Sequence, residues 1–138
     1  MKVFLDANIC LDLLDTTRKT SSRSVKWYLN NKDREDVEFY FSSDFITTFF
    51  YILTQKKKQT PKIAIDAIDM LSNEITALYL DNEDYINAKY DFEDGIIDDF
   101  EDLFVLNSAV RTGCELFLTN DRELLKMGKF KKMKIMTP

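Results

Sequence analysis

The chain alternates between short apolar runs and longer segments in which apolar residues recur at helical spacing. The short runs predict five strands, at residues 3–5, 38–41, 75–80, 115–118 and 134–136. The periodic segments predict helices at residues 8–15, 21–30, 45–53, 61–71, 82–92, 98–111 and 122–127. Polar residues mark several helix starts, including Asn8 for the first helix, and Gly113 suits a helix C-terminus.

The alternation of strands with helices predicts the fold class. Such an order implies right-handed crossovers and a mainly parallel sheet with helices on both faces, so we expect an α/β fold. The 138 residues contain three glycines and two prolines, and no stretch resembles a flexible linker. We therefore expect residues 1–138 to form one domain.

The first apolar run ends at an acid, Asp6. The run Val3-Phe4-Leu5 is typical of a strand buried on both faces. Ligands of open α/β sheets bind at the carboxyl ends of the strands, where Asp6 lies. A carboxylate at such a buried position is costly unless something neutralises it.

Three further acids should reach the same edge of the sheet. Asp121 follows the fourth predicted strand, and Asp99 and Asp102 share a face near a helix start. Crowded carboxylates raise one another's pKa values, and Mg²⁺ or Mn²⁺ relieves the repulsion through oxygen ligands. Since the chain has no histidine, a metal is the most plausible activator of water, and we expect Asp6, Asp102 and Asp121 to surround one ion. Alternatively, Asp99 and Asp102 only stabilise a helix N-terminus.

Charge and composition narrow the possible function classes and the expected cellular location. The net charge of −5 argues against a protein that holds nucleic acid by bulk charge. Residues 81–102 hold ten acids and one base, whereas lysines gather at residues 126–134 and could form a basic rim. We interpret Asp12, Asp15 and most acids of residues 81–94 as solvated. Two cysteines without metal-ligand spacing, no signal-peptide pattern and no apolar run of roughly 20 residues favour a cytoplasmic protein.

Several motifs resemble those of one family. The opening Val3-Phe4-Leu5-Asp6-Ala7-Asn8 resembles the start of PIN domains. The segment Asp99-Phe100-Glu101-Asp102, followed by Leu118-Thr119-Asn120-Asp121, is similar to the second half of the same family, in its subgroup with an Asp-Phe-Glu-Asp motif. The resemblance covers essentially the whole chain, and many small members are VapC-like toxins of bacterial toxin–antitoxin pairs.

This resemblance implies a three-layer α/β/α fold, with five strands in the order 3-2-1-4-5, and metal-dependent cleavage of single-stranded RNA. Mg²⁺ or Mn²⁺ would be held by Asp6, Asp102 and Asp121, with Asp99 as a fourth acid. Asn8, Thr119 and Asn120 would support the acids or contact RNA. An antitoxin is the expected protein partner. Many members carry a glutamate on the helix after the second strand, and the matching residue here is Thr48, which leaves the number of metal ions open.

An aromatic cluster suggests a protein interface. Two predicted helices carry more aromatic residues than one buried face needs, and we expect some of them to form an exposed patch for a second copy or an antitoxin peptide. The residues are Trp27, Tyr28, Phe49, Phe50 and Tyr51.

Two other function classes remain open. A PIN fold with a defective metal site could bind RNA or a protein without cleaving anything. An aspartyl phosphotransfer domain would use Asp6 or Asp81 as the phosphate acceptor, although it would leave Asp99 and Asp102 without a role. Binding of Mn²⁺ separates the first alternative from an enzyme, and labelling by acetyl phosphate would support the second.

Overall fold

A computed structural model describes residues 1–138. Strands and helices alternate as the sequence pattern predicts. The helices are α1 Ala7–Leu14, α2 Ser21–Asn31, α3 Phe45–Tyr51, α4 Pro61–Glu74, α5 Asn82–Glu93, α6 Phe100–Thr112 and α7 Arg122–Met127, and α3 continues into a π-helical segment, Ile52–Lys56. The strands are β1 Lys2–Leu5, β2 Glu38–Ser42, β3 Thr76–Leu78, β4 Leu116–Leu118, β5 Lys129–Phe130 and β6 Met133–Met136. None of the helices combines the length and apolar character needed to cross a membrane.

All strands belong to one sheet, in the order β3-β2-β1-β4-β6-β5. The first five strands in that order pair in parallel, which confirms the mainly parallel sheet and its predicted strand order. The sixth strand, β5, was not predicted. It pairs antiparallel to β6 at the edge of the sheet, and its two residues are too few to give a periodic sequence signal.

The central strand β1 is buried on both faces, since Val3, Phe4 and Leu5 are each at most 1% exposed. The ring of Phe4 stacks on Phe117 of β4 with 5.0 Å between centroids, and it meets the edge of Phe45 of α3 at 6.2 Å. Helix α1 packs against α2 and α4, while α5 packs against α6. The strand that leads to Asp6 is therefore held firmly by both its neighbours in the sheet and the helices.

Several acids differ from the sequence interpretation. Asp12, Asp15 and Asp84 were interpreted as solvated, but all three are buried. Asp84 accepts two hydrogen bonds of 2.9 Å from the guanidinium of Arg111, and Asp15 lies 3.2 Å from the Lys57 ammonium. These partners are distant in sequence, so local pattern gave no sign of them.

The predicted aromatic cluster divides into buried and exposed members. Phe49 is completely buried and Tyr28 nearly so, whereas Phe50 and Tyr51 are 36% and 58% exposed. Trp27 is half-buried and meets Phe39 edge-on. Only the end of α3 therefore offers the exposed aromatic surface that we expected.

Candidate active site

Asp6 lies at the end of β1 and forms the N-cap of α1, the position that the sequence had suggested for Asn8. One carboxylate oxygen accepts the Ala7 N–H at 2.8 Å. The other accepts the Thr119 hydroxyl at 2.7 Å and the Asn8 side-chain amide at 3.2 Å. Burial raises the pKa of Asp6, and the charge of Asp121 adds to that rise, although the hydrogen bonds oppose it. The site therefore contains a buried carboxylate with no cation beside it.

Thr119 joins Asp6 to the next acid. Its buried hydroxyl donates to Asp6 and accepts the backbone N–H of Asp121 at 2.9 Å. Asp121 in turn caps α7 by accepting the N–H groups of Glu123 and Leu124 at 2.8 and 3.3 Å. This arrangement follows from the adjacent ends of β1 and β4, which pair in parallel up to Leu5 and Leu118.

Asp99 and Asp102 come from the start of α6. Asp99 caps this helix by accepting the Asp102 N–H at 3.0 Å. Burial of Asp102, together with the charges of Asp6, Asp99, Asp121 and Glu101, raises its pKa to about 7. Helix α6 therefore brings Asp99 and Asp102 to the same cavity as Asp121.

Asp99, Asp102 and Asp121 open into a cavity of about 450 Å³, whereas Asp6 does not line it. Five acidic side chains line it, namely Asp98, Asp99, Asp102, Asp121 and Glu123. None of the four predicted site acids forms a salt bridge, although Lys126 pairs with Glu123 at 3.0 Å. The cavity is therefore strongly negative, and its central carboxylates have no cationic neighbour within the protein.

The donor chemistry fits a hard divalent cation, since carboxylate oxygens are the preferred ligands of Mg²⁺ and Mn²⁺. However, no three acidic side chains lie together in the arrangement of a metal site, which differs from our expectation that Asp6, Asp102 and Asp121 surround one ion. Each of Asp6, Asp99 and Asp121 instead uses an oxygen to cap a helix. Mg²⁺ commonly binds through one or two carboxylates and completes its shell with water, so the donor set remains suitable.

Comparison with known proteins shows to which family the chain belongs. The profile of the PIN domain matches residues 2–123. The chain belongs to the PIN domain family. One relative, the ribonuclease VapC1 of Aquifex aeolicus (strain VF5), is 31% identical over 125 residues, which cover 88% of this chain and 82% of that protein.

Solved structures share the same PIN fold. VapC20 of Mycobacterium tuberculosis, described as a sarcin-ricin loop cleaving toxin, superposes with a TM-score of 0.71 at 12% identity, over 96% of this chain and 98% of that one. VapBC2 of Rickettsia felis, bound to a DNA fragment from its promoter, gives a TM-score of 0.69 at 13% identity, with 99% and 98% coverage. At such low identity these structures support the fold alone.

Asp12 and Arg23 extend the polar layer that the sequence analysis assigned to Asn8, Thr119 and Asn120, and the sequence analysis missed both of them. Asn120 donates its backbone N–H to the Asn8 side-chain oxygen at 2.9 Å and its side-chain amide to Asp12 at 3.1 Å. Arg23 of α2 donates to the Asn120 side-chain oxygen at 2.9 Å. One available signal was the spacing of Asn8 and Asp12, four residues apart on one face of α1, because it places a polar residue within an otherwise apolar turn.

Proposed function

We propose that this PIN-domain chain is a metal-dependent endoribonuclease that cleaves single-stranded RNA in the cytoplasm, as the toxin of a toxin–antitoxin pair. The observation that carries the proposal is the acidic cavity lined by Asp99, Asp102 and Asp121, to which Thr119 links Asp6, with no cation paired to any of the four. The family and the ribonuclease name of the Aquifex relative support the same activity.

In this proposal Asp6, Asp102 and Asp121 hold Mg²⁺ or Mn²⁺ directly or through its waters, and Asp99 assists or holds a second ion. When bound, such an ion would supply activation of a water molecule and shielding of negative charge on the phosphate. Thr119 orients Asp6 and Asp121 through its hydroxyl. Asn8 supports Asp6, and Asn120 supports Asn8.

Cations at the rim would offset the acidic cavity and guide the RNA backbone. The sequence suggested the lysines of residues 126–134 for this role. Lys126 already pairs with Glu123 and Lys131 with Asp91, so their charges are partly balanced. Arg23 is exposed and bonds directly to Asn120, and we therefore add it to the proposed phosphate-guiding residues.

The proposed activity predicts metal-dependent RNA cleavage. Purified protein should cleave an end-labelled single-stranded RNA in Mg²⁺ or Mn²⁺, because the uncompensated acids need a cation to act on phosphate. Excess EDTA should stop cleavage, and excess Mn²⁺ should restore it. Duplex RNA and single-stranded DNA of the same sequence serve as controls for substrate class. Equal cleavage with and without EDTA would contradict the proposal.

A non-catalytic PIN module is the second candidate. Two features favour it: the resemblance implies that Thr48 stands where many family members carry a glutamate, and no three acids are preassembled as metal ligands. Titration of the protein with Mn²⁺ in a calorimeter separates the two candidates. Binding in the millimolar range or tighter supports the nuclease, whereas absent binding together with absent cleavage supports the module.

The proposed partner is an antitoxin protein, and we also propose a homodimer. Related folds from Haemophilus influenzae and Salmonella typhimurium were solved as VapBC complexes. An apolar hollow of about 290 Å³ between α3 and α4, which includes Phe50 and Ile65, together with exposed Tyr51, is the surface that we assign to the second copy.

This partner proposal predicts two results. A neighbouring reading frame should encode a small DNA-binding protein that, when co-expressed, elutes with this chain and suppresses cleavage.

The isolated chain should show the mass of a dimer by sedimentation, and Tyr51→Glu should lower that mass because it places a charge in the apolar surface. A monomeric wild-type chain at high concentration would refute the homodimer, and independent elution of the neighbouring product would refute that pairing.

A further inference from the structure

Asp12 is a completely buried carboxylate behind the proposed active site. One of its oxygens accepts Arg18 Nε at 2.8 Å and the Thr20 hydroxyl at 2.7 Å. The other accepts the Ser24 hydroxyl and the Asn120 side-chain amide. Burial alone would raise the pKa of Asp12, but these hydrogen bonds outweigh it and lower the pKa. Asp12 is therefore an ionised acid that accepts four hydrogen bonds and donates none.

A continuous series of hydrogen bonds runs from Asp12 to Asp6. The side-chain amide of Asn120 donates to Asp12 at 3.1 Å, and the backbone N–H of Asn120 donates to the Asn8 oxygen at 2.9 Å. The Asn8 amide then donates to Asp6 at 3.2 Å. Because Asn120 turns its nitrogen toward Asp12, its oxygen faces Arg23 at 2.9 Å and the Thr137 hydroxyl at 3.2 Å.

We propose that Asp12 is a positioning residue that fixes Asn120 in place and, through the Asn120 backbone N–H, the orientation of the Asn8 amide that donates to Asp6. The inference rests on the proposed function, since it assigns Asp6 to the nuclease site. Asp12 itself has no hydrogen bond to Asp6 and does not line the cavity. Its role is to anchor Asn120 so that the Asn120 backbone N–H stays on the Asn8 oxygen, which keeps the Asn8 amide from turning over.

Asp12→Asn tests this role because an asparagine offers one acceptor oxygen where aspartate offers two. The hydroxyls of Thr20 and Ser24 can rotate and accept a bond, but Arg18 and the Asn120 amide can only donate at these contacts. The variant must therefore lose the bond to Arg18 or the bond to Asn120. If Asn120 turns over to compensate, its nitrogen faces the guanidinium of Arg23.

The matched control is Asp84→Asn. Asp84 is likewise fully buried and bonded to an arginine, Arg111, but it has no hydrogen bond to any residue of the series from Asp12 to Asp6. Both variants should lose thermal stability through a broken buried ion pair. Only the Asp12 variant should alter the site, so the comparison separates positioning from general destabilisation.

The experiment measures three quantities below the unfolding temperature of each variant. We expect kcat for RNA cleavage to fall about 10- to 100-fold in Asp12→Asn with little change in KM, as for residues that orient metal ligands. The Mn²⁺ dissociation constant should rise by a similar factor. In the metal-free protein, the NMR signals of the Asn8 and Asn120 side-chain amides should shift or broaden. Asp84→Asn should keep the wild-type kcat and both amide signals.

A second variant keeps the test decisive if Asp12→Asn does not fold. Asn120→Ala removes the same link while leaving the Asp12–Arg18 pair intact, and it should lower kcat and shift the Asn8 amide signal. Wild-type kcat in either variant, or unchanged Asn8 signals in both, would overturn the positioning role. A wild-type protein that cleaves no RNA would refute the proposed function instead, and the amide signals would still decide the inference.

Discussion

Asp6→Asn should abolish RNA cleavage, lowering kcat/KM by roughly 1,000-fold or more, because loss of one site charge removes several kcal/mol of transition-state stabilisation. Asp6 is the most buried of the four site acids, and its carboxylate joins the ends of β1 and β4 through Thr119. The substitution preserves the shape of the side chain. The effect should therefore appear in the chemistry and in Mn²⁺ binding rather than in folding.

The melting temperature of Asp6→Asn should be unchanged or higher. Burial raises the pKa of Asp6, so its ionised form costs folding free energy at neutral pH. The variant removes this cost, although its NH₂ group can no longer accept a bond from Asn8. Asn8 retains its second bond, to the Thr119 oxygen at 3.2 Å, which limits the loss.

A matched control for Asp6→Asn is Asp66→Asn, which makes the same change of charge on an exposed face of α4. Asp66 pairs only with Lys62, one turn away, and such an exposed pair contributes little. This control should cleave RNA at the wild-type rate and melt within about 1 °C of wild type. Full cleavage by Asp6→Asn at saturating Mg²⁺ would exclude the proposed mechanism.

Asp102→Asn should stabilise the metal-free protein while it abolishes cleavage. A pKa raised from 3.8 to about 7 corresponds to about 4 kcal/mol against the ionised form. The expected cost of the ionised Asp102 to the folded state is about half of this, roughly 2 kcal/mol, because Asp102 is only half-buried and water screens its charge. For a chain of this size, that predicts a melting temperature about 6 °C higher than wild type near pH 8.

The sign of the pH dependence follows from the direction of the shift. Between about pH 4 and pH 7, Asp102 stays protonated in the folded chain but ionises in the unfolded chain, so rising pH favours unfolding. The contribution is fully present below the unfolded pKa of 3.8 and is lost as the pH rises through about 7. The metal-free wild type should therefore lose stability from about pH 4 to pH 7, and Asp102→Asn should lose less.

Addition of Mn²⁺ tests the role of the Asp102 carboxylate independently. Mn²⁺ should raise the wild-type melting temperature near pH 8, because a ligand that binds only the folded state stabilises it. Mn²⁺ should raise the melting temperature of Asp102→Asn much less. A lower melting temperature for Asp102→Asn in metal-free buffer, or a pH dependence identical to wild type, would contradict the crowding of charges at this site.

The sequence alone determined the parallel part of the sheet and the placement of Asp6 and Asp121 at one edge of it. The run Val3-Phe4-Leu5 could only be satisfied by burial on both faces, which makes β1 central and places Asp6 at its carboxyl end. Parallel strands share that end of the sheet, so Asp121 had to follow β4 to the same edge. Gly113, at φ 86°, adopts the left-handed conformation expected where α6 ends.

Only the tertiary structure decided how the acids are held and charged. Asp12 and Asn120 are 108 residues apart in sequence, and the local pattern marks Asp12 only as a polar residue in an apolar turn without identifying its four donors. The pKa of Asp102 depends on charges brought together from β1, α6 and the end of β4. Apolar periodicity reports which face of an element is buried, whereas hydrogen-bond partners and local charge depend on contacts that form only when distant segments meet.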